Sequence, residues 1–212
     1  MVQGDDFYAY NCTFVGNRAG EEGGAAYTET TPGAGFVNCL FVDNSAADGG
    51  ALSMRGIQKV ESSTFYRNFA SSHGGALYLR DYSGYDIQGC ILWGNKAADG
   101  GEVYADSGAN WTFRQCAIEG DLNGTKFSGT VCGDGNGNKR EDPRFVRAWD
   151  PDGPDNAYGT SDDGLKLANG SPCLDSGIWG AGQNLDDVLV QDISGAQRII
   201  GQQSDMGAYE GG

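Results

Sequence analysis

A repeat of about 26 residues constrains this chain more than any other feature. Phe14-Val15-Gly16-Asn17 leads to Gly23-Gly24-Ala25-Ala26, and Phe41-Val42-Asp43-Asn44 leads to Gly49-Gly50-Ala51-Leu52. Phe65-Tyr66-Arg67-Asn68 leads to Gly74-Gly75-Ala76-Leu77, and Leu92-Trp93-Gly94-Asn95 to Gly100-Gly101-Glu102-Val103. The first glycines of the pairs stand at 23, 49, 74 and 100, steps of 26, 25 and 26. A fixed period of this size marks a solenoid, whose repeats cannot bury an apolar face alone and do so against their neighbours.

Aligned on this element, the repeats form columns. Cys12, Cys39, Ser63, Cys90 and Cys116 precede it, and Phe14, Phe41, Phe65, Leu92 and Ile118 open it. Ala9, Phe36, Val60, Ile87 and Phe113 lie three residues before the cysteine column. After the glycines come Ala26, Leu52, Leu77 and Val103, then Thr28, Met54, Leu79 and Ala105. Alternation within such short runs means strands with one face inward. Three short strands per repeat, separated by Gly and Asn turns, describe one coil of a parallel β-helix with coils about 4.8 Å apart. The expected fold is therefore all-β: a parallel β-helix of about four to five coils over 1–120, with a non-repeating segment, 121–212, packed along it. Asn17, Asn44, Asn68 and Asn95 are expected to bond to one another up the axis while supplying the left-handed angles of a turn. The Gly-Gly pairs supply backbone angles closed to other residues. They are not a phosphate cradle, because no Lys-Ser/Thr follows them.

Composition narrows the function classes. The chain has 36 glycines in 212 residues without a Gly-X-Y period, which excludes collagen. Net charge is −15, shared by 1–120 and 121–212. No basic stripe is present to neutralise phosphates, so nucleic acid is not an expected partner. Cations or a neutral or basic ligand suit such a field. No apolar run reaches the roughly 18 residues of a membrane span. Met1-Val2-Gln3-Gly4-Asp5 does not read as a signal peptide and drops straight into a repeat, as in a piece of a longer protein.

The outward residues of the second strand, Leu40, Val42, Tyr66, Ile91 and Trp93 among them, are too apolar to stay wet across neighbouring coils. Either 121–212 folds back over them or a partner covers them. Outward residues after Gly-Gly differ: Tyr27, Ser53, Tyr78 and Tyr104 form one column, and Glu29, Arg55, Arg80 and Asp106 the next. Tyrosines flanked by charge can stack sugar rings, or simply pack across coils. His73, the single histidine, shares a turn column with Glu22, Asp48 and Asp99, which suits a metal, a poised imidazole or an exposed charge match. Lyases on parallel β-helices use a Lys or Arg base beside acidic Ca²⁺ ligands, and a resemblance to them would make Arg55 or Arg80, near Asp81 and Asp106, the nearest candidates, though no motif selects them. The repeats offer no Asp cluster of the kind inverting hydrolases use, and no serine-nucleophile context.

In the tail, Asp150, Asp152, Asp155, Asn156, Asp162 and Asp163 crowd the loop 150–163 among Gly and Pro. Hard cations take six to eight oxygens, so calcium is expected there; the alternative is a solvated acidic loop. Pro154 and Ser161 stand where an EF-hand needs ligands. Asp134, Asn136 and Asn138 form a weaker run of the same kind. Cys12, Cys39, Cys90 and Cys116 are expected to be reduced and buried, because stacked side chains point the same way. Cys132 and Cys173 lie outside the repeat and could bridge in a secreted setting.

The Phe-x-x-Asn and Gly-Gly-Ala motifs, over roughly 7–119, resemble the polymorphic outer-membrane-protein repeat and the wider class of pectate-lyase-like β-helices. That resemblance implies a right-handed, single-stranded solenoid. The series Glu141-Asp142-Pro143, Gly170-Ser171-Pro172-Cys173 and Asp205-Met206-Gly207-Ala208-Tyr209-Glu210 is similar to the C-terminal segment of secreted bacterial choice-of-anchor proteins, where a surface anchor follows. Together they imply a secreted or cell-surface bacterial setting, with signal and anchor outside this chain. The expected function is a non-catalytic structural or binding module, calcium-stabilised, that contacts polysaccharide or another cell-surface ligand. The alternatives are the C-terminal part of a polysaccharide lyase or glycoside hydrolase, and a filament-forming subunit that associates end to end through open coils.

Overall fold

The structure, a computed structural model, describes residues 7–29, 34–56, 58–80, 84–106, 110–120, 127–129, 137–182 and 189–211. The chain winds into a parallel β-solenoid of about four turns, with no helical element among the described residues. The first coil carries β1 (Tyr8–Tyr10), β2 (Thr13–Val15) and β3 (Ala26–Thr28). The second carries β4 (Ala34–Val37), β5 (Leu40–Val42), β6 (Ser45–Asp48) and β7 (Leu52–Arg55). The third carries β8 (Gln58–Glu61), β9 (Thr64–Tyr66), β10 (Phe69–His73) and β11 (Leu77–Arg80). The fourth carries β12 (Gly84–Gln88), β13 (Ile91–Trp93) and β14 (Val103–Ala105). A last, partial turn adds β15 (Asn110–Arg114), β16 (Ala117–Ile118) and β17 (Phe127–Gly129).

Three five-stranded sheets result, ordered β1-β4-β8-β12-β15, β2-β5-β9-β13-β16 and β3-β7-β11-β14-β17, all parallel. The register reproduces the sequence columns. Phe41 pairs with Phe14 and Phe65, Phe36 with Ala9 and Val60, and Leu52 with Ala26 and Leu77. These residues meet in one core, in which Phe36, Phe41, Phe65, Leu52, Leu77 and Phe113 are fully buried. Phe14, Phe41 and Phe65 stack face to face, with centroids 4.8 and 4.5 Å apart and planes within 3°. The spacing is set by the strand ladder, so equivalent rings must stack. A fourth line of pairing was not expected: β6 pairs with β10, and single bridges extend it to Arg18, Glu22, Lys96 and Asp99.

Every coil turns its corners with one left-handed residue. Asn11, Asn38, Ser62, Gly89 and Gln115 turn the first corner, at φ of 45–61°. Gly16, Asp43, Arg67 and Gly94 turn the second, at 53–72°, and the first glycine of each pair turns the third, at 61–65°. The left-handed angle is thus taken by the residue before each ladder asparagine, and the asparagine itself stays free to face inward. Its side chain works as expected. Asn44 donates through N and Nδ2 to Asn68 Oδ1 at 3.0 and 2.9 Å, and Asn68 does the same to Asn95 Oδ1 at 2.8 Å. Each amide also donates to the carbonyl of the preceding coil's aromatic strand, Asn68 to Phe41 O at 3.0 Å. The ladder ends on Glu102, a buried carboxylate that accepts from Asn95 Nδ2 at 2.6 Å and from its backbone N–H at 3.1 Å. Glu102 stands where the other repeats have alanine, and its carboxylate caps Asn95.

The segments 137–182 and 189–211 run mostly in turns and pack on the outer face of the second sheet. Leu165, Ala208 and Tyr209 cover Leu40, Val42 and Tyr66, while Leu167, Cys173 and Met206 cover Ile91 and Ala117. Trp93 and Phe145 are half-buried at the junction of these two clusters, Phe145 edge-on to Tyr66. The cover stops short of the first coil, where Val15 stays exposed. Gly207 lies against the sheet: its N–H reaches Gly89 O at 2.7 Å, and a Cβ there would fall 2.7 Å from Thr64 Oγ1. The neighbouring Ala208 N–H donates to Thr64 Oγ1 at 2.9 Å. Buried Arg198 fastens the strap, donating to Gly207 O and Asp205 O and, at 3.4 Å, to Asn38 Oδ1 of the solenoid.

Candidate functional site

The outward face of β3, β7, β11 and β14 gathers two columns that the sequence left apart. Tyr27, Ser53, Tyr78 and Tyr104 are in register along the axis. His73, the last residue of β10, sets its ring 4.4 Å from Tyr104 and 5.8 Å from Tyr78, and the two tyrosines are 5.5 Å apart. His73 Nδ1 is 2.7 Å from Asp48 Oδ1, which fixes the imidazole. Tyr78 OH donates to Asp106 at 3.2 Å. Burial and the Asp106 charge push the Tyr78 phenol up to about 12, so it stays a donor throughout the physiological range.

Ser53 is small, and that opens a path across the second coil. Arg80 reaches over it from the third coil to Glu22 on the first, Nη1 to Oε1 at 2.5 Å, while Ser53 Oγ donates to Glu22 Oε2 at 2.8 Å. The Arg80 guanidinium also lies over the Tyr78 ring, 5.6 Å from its centroid. Burial alone would lower the Arg80 pKa, but the hydrogen bond and charge of Glu22 outweigh it and raise it. Arg55 pairs with Glu29 at 2.9 Å. Both arginines are thus held as cations in ion pairs, the opposite of what a base requires. Tyr27 is the most open of the rings, 43% exposed.

In the acidic loop, the carboxylates of Asp155, Asp162 and Asp163 lie within 4.8 Å of one another. Asp150 and Asp152 do not join that group, Asp150 sitting beside Arg147, and Asn156 donates its Nδ2 to Pro154 O. The three carboxylates are held together by local donors rather than left to repel. Buried Asp163 Oδ2 accepts from Gly159 N at 2.7 Å, Thr160 N at 3.1 Å and Tyr209 OH at 2.5 Å. Asp162 accepts from Thr160 Oγ1 at 2.7 Å, which holds its carboxyl below the usual range. Asp155 caps Ala157 N at 2.9 Å. The donor set fits a hard cation in type: Asp155 and Asp162 have oxygens to spare, while Asp163 is largely committed to the fold. A cleft of about 440 Å³ opens beside the loop, lined by Arg147, Asp162, Lys166 and Asn169 among others.

The other tail carboxylates are acceptors for backbone N–H groups. Asp205 takes Asp175 N and Gly211 N, Asp192 takes Ser194 N, Ala196 N and Glu210 N, and Glu210 takes Asp205 N and Ile200 N. This role had a signal in the sequence, since Asp and Glu among Gly and Ser favour side-chain-to-backbone turns. Cys39, Cys90 and Cys116 are free and buried, and Cys12 is free and half-buried. Burial pushes Cys39 and Cys173 up to about 12. Cys173 is a free thiol, and Cys132, its expected bridging partner, lies outside the described residues. Asp81, Asp134 and Asn136 lie outside them too. Asn138, within them, accepts from Cys116 N at 3.0 Å and donates to Phe113 O, continuing the core's pairing.

The Chlamydia polymorphic membrane protein repeat matches residues 11–29 and 62–80, each of which spans a ladder asparagine, a glycine pair and the strand after it. That repeat suggests a bacterial outer-membrane or surface protein built on a β-solenoid. No curated protein and no solved structure matches the chain. Among the described residues, no helix is long and apolar enough to cross a membrane.

Proposed function

We propose that this chain is a non-catalytic binding module of a secreted or cell-surface bacterial protein, using the tyrosine face of the solenoid to contact polysaccharide. The observation that carries the reading is the aromatic row on a rigid sheet: exposed Tyr27, then the half-buried, packed trio Tyr78, Tyr104 and His73, with hydroxyls and carboxylates at its edges. Aromatic faces stack on the apolar faces of sugar rings, and the flanking polar groups bond to hydroxyls. The match of 11–29 and 62–80 to the polymorphic membrane protein repeat supports the cell-surface setting. Affinity electrophoresis against a panel of bacterial and plant polysaccharides tests the reading. Retardation by at least one polymer is expected, lost in Tyr27→Ala/Tyr104→Ala; cleavage of a polymer, abolished by Arg80→Ala, would instead support a lyase or hydrolase.

The loop 150–163 is the calcium site of this reading, with Asp155 and Asp162 as the available ligands and Asp163 anchoring the loop to Tyr209. A bound ion would supply charge neutralisation and stiffen the strap. Chelation is then expected to lower the melting temperature and added Ca²⁺ to restore it, an effect absent in Asp155→Asn/Asp162→Asn. A melting curve unmoved in both directions removes calcium from the reading.

A second reading, end-to-end self-association, is favoured at the first coil. Phe7, Tyr8, Tyr10 and Val15 are exposed there, and Asn17 Oδ1 accepts no hydrogen bond among the described residues. This edge offers the same ladder and aromatic stack that each inner coil offers its neighbour. Sedimentation velocity over a range of concentrations tests it: association that Val15→Lys suppresses supports the reading, and a monomer at all concentrations removes it.

A further inference from the structure

The charges around the tyrosine row are not balanced along its length. Both arginines of the face are matched by carboxylates, Arg80 by Glu22 and Arg55 by Glu29, and His73 is matched by Asp48. Two carboxylates remain, and both flank Tyr104. Among the described residues, the Asp106 carboxylate accepts only the Tyr78 hydroxyl and exposed Asp99 makes no ion pair. The phenol of Tyr104 senses this field: after burial, the charges of Asp106, Asp99 and Asp48 push its pKa up. The molecule as a whole, at −15, adds to the same potential.

We propose that the Tyr104 end of this face takes a polysaccharide bearing free, protonated amines, an amino-sugar polymer, in preference to a neutral or uronic-acid chain. The inference rests on the polysaccharide-platform reading and narrows it. An ammonium over the face of Tyr104 gains from the ring quadrupole and from Asp99 and Asp106 on either side. A uronate at the same place meets two carboxylates, and among the described residues the cations of this face are already paired with carboxylates. The chain runs along the solenoid axis, because Tyr27, Tyr78 and Tyr104 lie in one column and the ion pair over Ser53 bridges the gap between them.

The test is calorimetric titration of the whole chain with three oligomers of equal length: glucosamine, N-acetylglucosamine and galacturonate. The glucosamine oligomer is expected to bind about tenfold tighter than its acetylated counterpart, the size of one cation–aromatic contact supported by charge. The galacturonate oligomer is expected to bind weakest. Raising the salt concentration should narrow the gap. Asp99→Asn/Asp106→Asn should remove most of the tenfold preference while leaving the acetylated oligomer's affinity in place. Both substitutions are isosteric and one site is exposed, so an unchanged melting temperature shows that the fold is intact. If the acetylated or the galacturonate oligomer binds as tightly as glucosamine, or the double variant keeps the preference, this inference falls and the platform stands. If no oligomer binds, both fall.

Discussion

Glu210 shows how far a single residue of the strap is displaced from its behaviour in water. Its carboxyl is 2% exposed and accepts from Asp205 N at 3.0 Å and Ile200 N at 3.3 Å. Burial, then the charge of Asp205, push its pKa up to about 8; buried Arg198 and the two N–H groups hold it from going higher. The folded protein therefore binds a proton at Glu210 that the unfolded chain releases near 4.5. Between those values the unfolded state holds fewer protons, so stability falls as pH rises from about 4.5 to 8. Glu210→Gln removes that slope. At pH 5 the variant is expected to be less stable by about 1–3 kcal/mol, since an amide nitrogen cannot accept from a buried N–H. Its melting temperature should nevertheless drop less between pH 5 and pH 8 than that of the parent. Parallel pH profiles for the two proteins would refute the assignment.

At the scale of the element, the coil is specified by two devices, and they differ in where they are strict. The second glycine of a pair has the next coil's backbone where a side chain would be: a Cβ at Gly50 would fall 2.2 Å from Gly75 O. The asparagine ladder is strict only inside the stack. Asn68→Ala strips partners from Asn44 N and Phe41 O, both buried, at about 1–3 kcal/mol each. Asn17→Ala, at the exposed end, removes one side-chain donor and leaves Asn44 its own bonds up and down the axis. Urea denaturation is expected to show Asn68→Ala costing at least twice what Asn17→Ala costs; equal costs would mean that the ladder is not cooperative. Columns such as these are legible in a sequence because every coil needs the same residue at the same step, as Phe14, Phe41 and Phe65 show. Asp163 and Tyr209 meet across 46 residues with no repeat to align them, so their bond left no periodic trace. The tyrosine row was legible as a column, but its junction with His73 was not. The spacing places His73 in a turn column, whereas it ends strand β10, and nothing in it says that this strand brings the imidazole against the ring of Tyr104.

For the whole molecule, the question is whether strap and solenoid unfold together. The solenoid has a core of its own, running from Ala9 to Ile118 inside the coils, and the strap's contacts form two smaller clusters on its outside. Solenoid backbone groups pair in continuous ladders, whereas the strap is tied by single bonds such as Gly207 N to Gly89 O and Ala208 N to Thr64 Oγ1. A segment with few ladder bonds opens at lower free energy than the core it covers. Gly207→Ala isolates that step. Its φ of +89° disfavours any side chain, and the new methyl would meet Thr64 Oγ1 at 2.7 Å and Ile91 Cδ1 at 2.8 Å. Hydrogen exchange is expected to speed up at Gly207, Ala208 and Met206 while the amides of Asn44 and Asn68 keep their protection. A hydrophobic dye should bind below the main melting transition, as Leu40, Val42 and Ile91 come into contact with water. Equal acceleration at Asn68 and Ala208 would show instead that the two parts form one cooperative unit, with the strap as integral to the fold as any coil.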